Sequence, residues 1–241
     1  MNEKRRSTRA SPDRAELGPK ATADAQAARS RAVGNPLGAA QFSTAAHQLR
    51  QLPDDAGAEV AFAGRSNAGK SSAINALTGN AKLARTSKTP GRTQQLVVFT
   101  LLDPAQRLID LPGYGYAQVP EDLRAHWQAF INDYFRTREA LAGLVIVMDV
   151  RHPLREFDLA MLDFAKARAL PAHCLLTKAD KLGRGEQAKT LAAVRKDLAE
   201  SYGDTVGVQL FSSTSGLGVD EARGIVSGWL ELGRTRVEKV G

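Results

Sequence analysis

Apolar and polar positions alternate along the chain in two ways after about residue 40. Short apolar runs typical of buried strands are followed by longer stretches with apolar residues every three to four positions, which indicates amphipathic helices. The predicted strands are 59–64, 94–103, 107–111, 144–150, 172–177 and 208–212. The predicted helices are a short one at 42–49 and longer ones at 70–77, 121–138, 156–169, 186–202 and 219–232.

Alternating strands and helices predict a mostly parallel sheet with helices on both faces. The second and third strands are the exception, because residues 103–106 are too short for a crossover and fit a hairpin. We therefore expect an α/β, three-layer fold with a mostly parallel six-stranded sheet and one antiparallel edge strand.

The N-terminal end of the chain differs in composition from the rest. Residues 1–36 are rich in Ala, Arg, Ser, Gly and Pro, and such a segment buries too little surface to offset its ordering entropy. We expect a disordered basic extension over 1–36, one domain over 37–235 and a short tail over 236–241.

The lengths of the apolar runs indicate whether the chain spans a membrane or carries a secretory signal. The longest apolar run, residues 144–148, is far short of the roughly 20 residues of a membrane span. No apolar stretch follows the basic N-terminal residues, so the pattern is not that of a secretory signal. We expect a cytoplasmic protein without a membrane partner, and we expect the single cysteine, Cys174, to be a buried thiol.

The net charge of +7 suggests an acidic partner such as nucleic acid. Residues 1–35 carry eight Lys/Arg and four Asp/Glu, so over half of the excess lies in the extension. Charge alone leaves RNA contact and a solvated basic surface equally open.

The segment after the first predicted strand matches the phosphate-binding pattern G-x-x-x-x-G-K-[ST] and opens a helix. Its glycines let backbone N–H groups point at phosphate oxygens, and the helix N-terminus adds its dipole. Lys70 is expected to contact the β- and γ-phosphates, and the Ser71 hydroxyl to ligate magnesium. The expected nucleotide-binding residues here are Gly64, Arg65, Ser66, Asn67, Ala68, Gly69, Lys70, Ser71 and Ser72.

About 40 residues later, an Asp-Leu-Pro-Gly sequence ends another predicted strand. Its carboxylate can hold magnesium through water, and its glycine offers a backbone N–H to the γ-phosphate. The residues concerned are Asp110, Leu111, Pro112 and Gly113. In the polar segment between the two motifs, Thr89 and Thr93 are both able to present a hydroxyl to magnesium.

A Thr-Lys-Ala-Asp sequence after the 172–177 strand fits the pattern [NT]-K-x-D. Guanine presents donors at N1 and N2, so an ionised Asp180 accepts both, whereas adenine offers an acceptor at N1. The stem of Lys178 can lie over the base, and the N–H of Ser213 can reach guanine O6. The expected base-site residues are Thr177, Lys178, Ala179, Asp180, Phe211, Ser212 and Ser213.

The order of these motifs resembles that of the translation-factor-related P-loop GTPases. In detail, GRSN at 64–67, TPGRTQ at 89–94, DLPGYGYA at 110–117 and TKAD at 177–180 closely resemble the EngB (YihA/YsxC) family. The likeness spans roughly residues 40–235 and is most specific at 112–117.

The resemblance implies a bacterial GTPase that acts as a GTP/GDP switch in assembly of the large (50S) ribosomal subunit and is needed for normal cell division. Its partners would be GTP, GDP and a large-subunit precursor, with rRNA and ribosomal proteins, and we expect a monomer. The resemblance assigns Mg²⁺ to Ser71 and Thr93, beside Asp110. It also implies nucleotide contacts at Gly91, Arg92, Thr93, Gln94 and Gln95, although Gln95 departs from the Thr or Leu expected there.

Catalytic roles are expected for Lys70, Thr93 and Gly113. Tyr114 stands where many GTPases have a water-orienting glutamine, so unassisted turnover should be at or below the roughly 10⁻⁴ s⁻¹ scale of a small GTPase. Asn67 occupies a loop position that helps hold K⁺ in related cation-dependent GTPases, and K⁺ stimulation is a hypothesis.

Two other functions remain open at this stage. One is an RNA-binding module whose nucleotide is structural, which differs from a switch in showing equal RNA affinity with GTP and GDP. The other is an ATP-using enzyme, against which Asp180 argues.

Overall fold

The computed structural model describes residues 30–84, 95–113 and 121–238. Its strands are β1 (Gln41–Ala46), β2 (Ala58–Gly64), β3 (Leu96–Thr100), β4 (Gln106–Asp110), β5 (Leu141–Asp149), β6 (Ala172–Thr177) and β7 (Val206–Leu210). Its helices are α1 (Lys70–Thr78), α2 (Glu121–Thr137), α3 (Glu156–Ala167), α4 (Arg184–Tyr202) and α5 (Val219–Glu238), besides short 3₁₀ turns.

The strands form one mixed sheet in the order β1-β3-β4-β2-β5-β6-β7. The strands from β4 to β7 in this order run parallel, and β3 pairs antiparallel with β4 through the predicted hairpin. The α/β architecture and the antiparallel edge are thus confirmed.

The predicted helix at 42–49 is wrong, because residues Gln41–Ala46 form β1, which pairs antiparallel with β3. The described sheet therefore has seven strands instead of six, and its antiparallel edge has two. The reason is tertiary: pairing with the unpaired side of β3 outweighs the weak helical pattern of a short segment.

The helices pack on both faces and form a three-layer structure. On one face, Ile74 of α1 and Val226 of α5 share a core with the inner side chains of the sheet. On the other face, Phe130 of α2, Leu162 of α3 and Leu198 of α4 form the second core. Within the described ranges, no helix is both long and apolar enough to span a membrane.

Contacts with the domain begin before its predicted boundary at residue 37. Leu37 is fully buried, and Asn35, in the stretch assigned to the extension, accepts a hydrogen bond from the Leu37 N–H at 3.1 Å. The Asn35 amide also donates to the Leu77 carbonyl at the end of α1, at 3.0 Å. Residues 1–29 lie outside the described residues, so the domain boundaries stay a prediction.

The parallel strands place their carboxyl ends at one edge of the sheet, where their loops meet. Ladder hydrogen bonds continue past two strand ends, from the Leu111 N–H to the Phe62 carbonyl at 3.0 Å and from the Phe211 N–H to the Leu176 carbonyl at 2.9 Å. Such an edge is where ligands bind in open α/β sheets.

The opposite edge holds a buried ionic cluster around Glu59, which is fully buried at the start of β2. Arg138 contacts both carboxylate oxygens, at 2.6 and 3.0 Å, and the Arg107 Nε lies 2.9 Å from Oε1. The Tyr134 hydroxyl donates to Oε2 at 3.1 Å, and burial raises the pKa of this phenol, so it stays protonated. The Glu59 carboxylate thus pairs with two buried guanidinium groups, and the Arg138 Nε also lies 3.4 Å from a carboxylate oxygen of the partly exposed Asp55.

Cys174 is fully buried in β6, as interpreted from the sequence. Burial raises the pKa of its thiol, which therefore stays protonated and unreactive near neutral pH. The residue is part of the core.

His173 lies buried in β6, beside Gln209 of β7. Its Nε2 lies 2.9 Å from the Gln209 side-chain oxygen. The side-chain nitrogen of Gln209 in turn donates to the Gly218 carbonyl at 2.7 Å. Burial lowers the pKa of His173, although the Gln209 hydrogen bond and the charge of Glu221 act in the opposite direction. The folded protein therefore favours neutral His173.

This burial predicts a loss of stability in mild acid. As the pH falls below about 6.5, the ordinary histidine pKa, the unfolded chain takes up a proton that folded His173 resists, so the free energy of unfolding decreases. Chemical denaturation between pH 7 and pH 5 should show a shallower pH dependence for His173→Gln than for the wild type. His152→Gln, at an exposed histidine, is the control for removal of an imidazole, and a wild-type slope in His173→Gln would refute the assignment.

Candidate functional site

The loop between β2 and α1 has the curled backbone that the sequence predicted. Asn67 and Gly69 both have positive φ, 62° and 99°, and the Ala68 N–H donates to the Arg65 carbonyl at 3.0 Å. Helix α1 begins at Lys70, and its first turn is closed by the Ala73 N–H bonding the Gly69 carbonyl at 2.8 Å. The loop thus leads directly into a helix N-terminus, the arrangement that binds phosphate.

Lys70 and Asp110 meet at this edge of the sheet. The Lys70 ammonium forms an ion pair with the Asp110 carboxylate at the end of β4, and both side chains are largely buried. Gly113 lies against the loop as well, because a Cβ at this position would be 3.3 Å from the Ser66 Cα. The two sequence motifs are therefore in contact.

Thr177, at the end of β6, links the proposed base site to the phosphate loop. Its buried hydroxyl contacts the Ala68 carbonyl and lies 2.9 Å from the Met148 carbonyl. This contact fixes the start of the Thr-Lys-Ala-Asp segment against the loop that precedes α1.

Lys178 reaches back across the same loop. Its backbone is left-handed, with φ 57°, and its ammonium donates to the Asn67 carbonyl at 2.6 Å. A second contact, at 2.9 Å, joins the ammonium to Asp149 at the end of β5. The lysine stem is thereby held along the rim between the two proposed halves of the site.

Asp180 lies on the rim as an ionised carboxylate. Its Oδ1 accepts a hydrogen bond from the Ser212 hydroxyl at 2.7 Å, and this bond lowers the Asp180 pKa. The Ser212 oxygen accepts from the Ser215 N–H at 3.1 Å, which leaves its proton for Asp180. A charged acceptor is what recognition of the two guanine donors requires.

The structure brings the described members of both predicted sites to one edge of the sheet. They are Gly64, Arg65, Ser66, Asn67, Ala68, Gly69, Lys70, Ser71, Ser72, Asp110, Leu111, Pro112, Gly113, Thr177, Lys178, Ala179, Asp180, Phe211, Ser212 and Ser213. Their individual roles toward a nucleotide stay predictions.

Most of the predicted site residues in the polar segment before β3 lie outside the described residues. Gly91, Arg92, Thr93 and Gln94 lie outside the described residues, as do Thr89 and Tyr114. Gln95 is described just before β3, at the same sheet edge because β3 runs antiparallel, and its side chain contacts the His47 ring.

Sequence reasoning missed Asp149 and Arg151. The Arg151 guanidinium binds the Asp149 carboxylate through Nε at 2.9 Å and Nη2 at 2.6 Å, next to the Lys178 contact. The available signal was the position of Asp149 directly after an apolar run, at a strand end where polar residues reach the functional edge.

The phosphate loop, the facing lysine and aspartate, and the charged Asp180 on one sheet edge define the class of P-loop GTPases. A family model described as "50S ribosome-binding GTPase" matches residues 59–178. The chain is 66% identical over 193 residues to a probable GTP-binding protein EngB of Xanthomonas campestris pv. campestris, covering 80% of this chain and 93% of that protein. It therefore belongs to the EngB family of GTP-binding proteins.

A second relative supports the same family assignment. The corresponding EngB protein of Stenotrophomonas maltophilia is 65% identical over 193 residues, covering 80% of this chain and 96% of that protein. A crystal structure of a probable GTP-binding protein engB matches with a TM-score of 0.58 at 22% identity, covering 72% of this chain and 99% of that chain. At this identity, the structural match supports the fold alone.

Proposed function

We propose that the protein is a GTP/GDP switch of the cytoplasm that binds a precursor of the large ribosomal subunit in its GTP form, in support of cell division. The observation that carries the nucleotide assignment is the ionised Asp180 carboxylate, held by Ser212 at the same sheet edge as Lys70. The ribosomal partner is supported by the description of the matching family model, which names 50S binding.

The residues present fit a magnesium ion. The Ser71 hydroxyl at the start of α1 and the Asp110 carboxylate at the end of β4 lie on the same edge, and both are the oxygen donors that Mg²⁺ prefers. We propose that they hold Mg²⁺ with Thr93. When bound, the ion neutralises charge on the phosphate oxygens.

Hydrolysis should be slow without a stimulating partner. Lys70 and the Gly113 N–H would stabilise charge at the γ-phosphate, but residue 114 is a tyrosine instead of a water-orienting glutamine. A group from the ribosomal partner, or K⁺ held beside Asn67, would supply the missing stimulation.

The test is binding to large-subunit precursor particles in the presence of a non-hydrolysable GTP analogue or GDP. A switch needs a differential affinity for its two states, and we expect binding at least about tenfold tighter with the GTP analogue, worth about 1.4 kcal/mol. Small-subunit particles serve as the matched control. Equal affinity in both nucleotide states would contradict the switch and support an RNA-binding module with a structural nucleotide.

A further inference from the structure

Asp149 lies between two cations at the rim of the site. Its Oδ2 contacts the Lys178 ammonium at 2.9 Å and the Arg151 Nη2 at 2.6 Å. Its Oδ1 accepts from the Arg151 Nε at 2.9 Å and from the Arg151 N–H at 3.1 Å. Both carboxylate oxygens are therefore occupied, and the side chain has little freedom to turn.

The arrangement continues into the phosphate loop, because the other contact of the Lys178 ammonium is the Asn67 carbonyl at 2.6 Å. The Asp149 side chain is 15% exposed and that of Lys178 32% exposed, whereas Arg151 is 46% exposed. A continuous set of contacts thus runs from the solvent-facing Arg151 through Asp149 and Lys178 to Asn67.

A free lysine side chain loses about 2 kcal/mol of rotamer entropy when it is fixed. Holding Lys178 between Asp149 and Asn67 before nucleotide binds removes most of that cost from the binding step. The Arg151 guanidinium holds the Asp149 side chain in this rotamer through two parallel hydrogen bonds. Such a bidentate pair fixes the orientation of the carboxylate and also stabilises its negative charge.

We propose that Asp149, clamped by Arg151, is a positioning residue that fixes the Lys178 side chain along the guanine base and thereby sets the affinity for GDP and GTP. This inference rests on the proposed nucleotide function of the site. The Arg151 contact lowers the pKa of the Asp149 carboxyl well below its usual range, which keeps the clamp charged at neutral pH.

The first test is Asp149→Asn, which keeps size and removes charge. Fluorescence titration should show GDP and GTP binding at least about tenfold weaker, the effect of one lost hydrogen bond to a charged group. The preference over ADP should persist because Asp180 is untouched, and the KM for GTP should rise much more than kcat falls. Asp133→Asn, which disrupts an exposed Asp–Arg pair on α2 with a 2.8 Å contact, should match the wild type.

The second test asks whether Asp149 acts through Lys178. In a Lys178→Ala background, Asp149→Asn should cause no further loss, since the contact to be lost is already gone. Should Asp149→Asn not fold, Arg151→Ala replaces it, with the same expected loss of affinity and the same dependence on Lys178. Unchanged affinity, or a full loss that persists without Lys178, overturns the inference.

The two proposals fail differently. If the wild type binds ADP as tightly as GDP, the nucleotide function itself is wrong, and the positioning role falls with it. If guanine preference is intact and Asp180-dependent while Asp149→Asn binds like the wild type, the positioning role alone is wrong.

Discussion

Replacing Asp180 with alanine is expected to abolish the preference for guanine over adenine nucleotides and to weaken GDP binding by a factor of roughly 10² or more. In the proposed base site the carboxylate would accept two hydrogen bonds from guanine, and each bond to a charged group contributes about 1.5–3 kcal/mol. The effect is selective because adenine, with an acceptor at N1, gains nothing from the wild-type aspartate. Fluorescence titration with GTP, GDP and ATP in the presence of magnesium measures it.

The alternative for Asp180 is a purely structural cap after β6. A cap would leave selectivity unchanged and lower the melting temperature of the nucleotide-free protein instead. Asp204→Ala, at an exposed aspartate, is the control for loss of a negative charge. ATP binding to the wild type as tight as GTP binding would refute both the base-site argument and the guanine specificity it supports.

Local pattern was enough to predict the phosphate loop. A strand of apolar residues, two glycines and Lys70 at a helix start are neighbours in sequence, and their geometry is set by backbone conformations that only few residues adopt, such as φ 99° at Gly69. Parallel strand order then places Asp110 and Asp180 at the same edge without further information.

Contacts between distant residues carry no such pattern. Strand β1 exists because Gln41–Ala46 pairs with Leu96–Thr100; Phe42 and Thr44 are strand-favouring residues, but six residues are too few to decide between a strand and a helical turn. The position of Asp149 at a strand end marks it as a candidate, but its contact with Lys178 is visible only in the folded structure. Propensity and periodicity report local preferences, whereas these features depend on tertiary packing.

The buried ionic cluster around Glu59 is another feature that depends on contacts between distant residues, since Glu59 and Arg138 are 79 positions apart in the sequence. Glu59→Ala is expected to lower the free energy of unfolding by about 3–5 kcal/mol, because removing one partner of a buried pair leaves the other charge uncompensated. Here Arg107 loses its contact with the Glu59 carboxylate, and Arg138 is left with the partly exposed Asp55, 3.4 Å from its Nε. For a domain of this size the melting temperature should fall by roughly 10 °C.

Denaturant titration of the nucleotide-free protein checks this loss without the stabilisation that bound ligand adds. Asp133→Ala breaks an exposed ion pair of the same chemistry and should cost less than about 1 kcal/mol. Because the cluster lies at the edge away from the site, folded Glu59→Ala should still bind GDP with wild-type affinity. A decrease in the free energy of unfolding below about 1 kcal/mol would mean that water or a shifted side chain compensates the guanidinium charges. A large loss of GDP affinity would mean that the cluster also positions the loops at the opposite edge of the sheet.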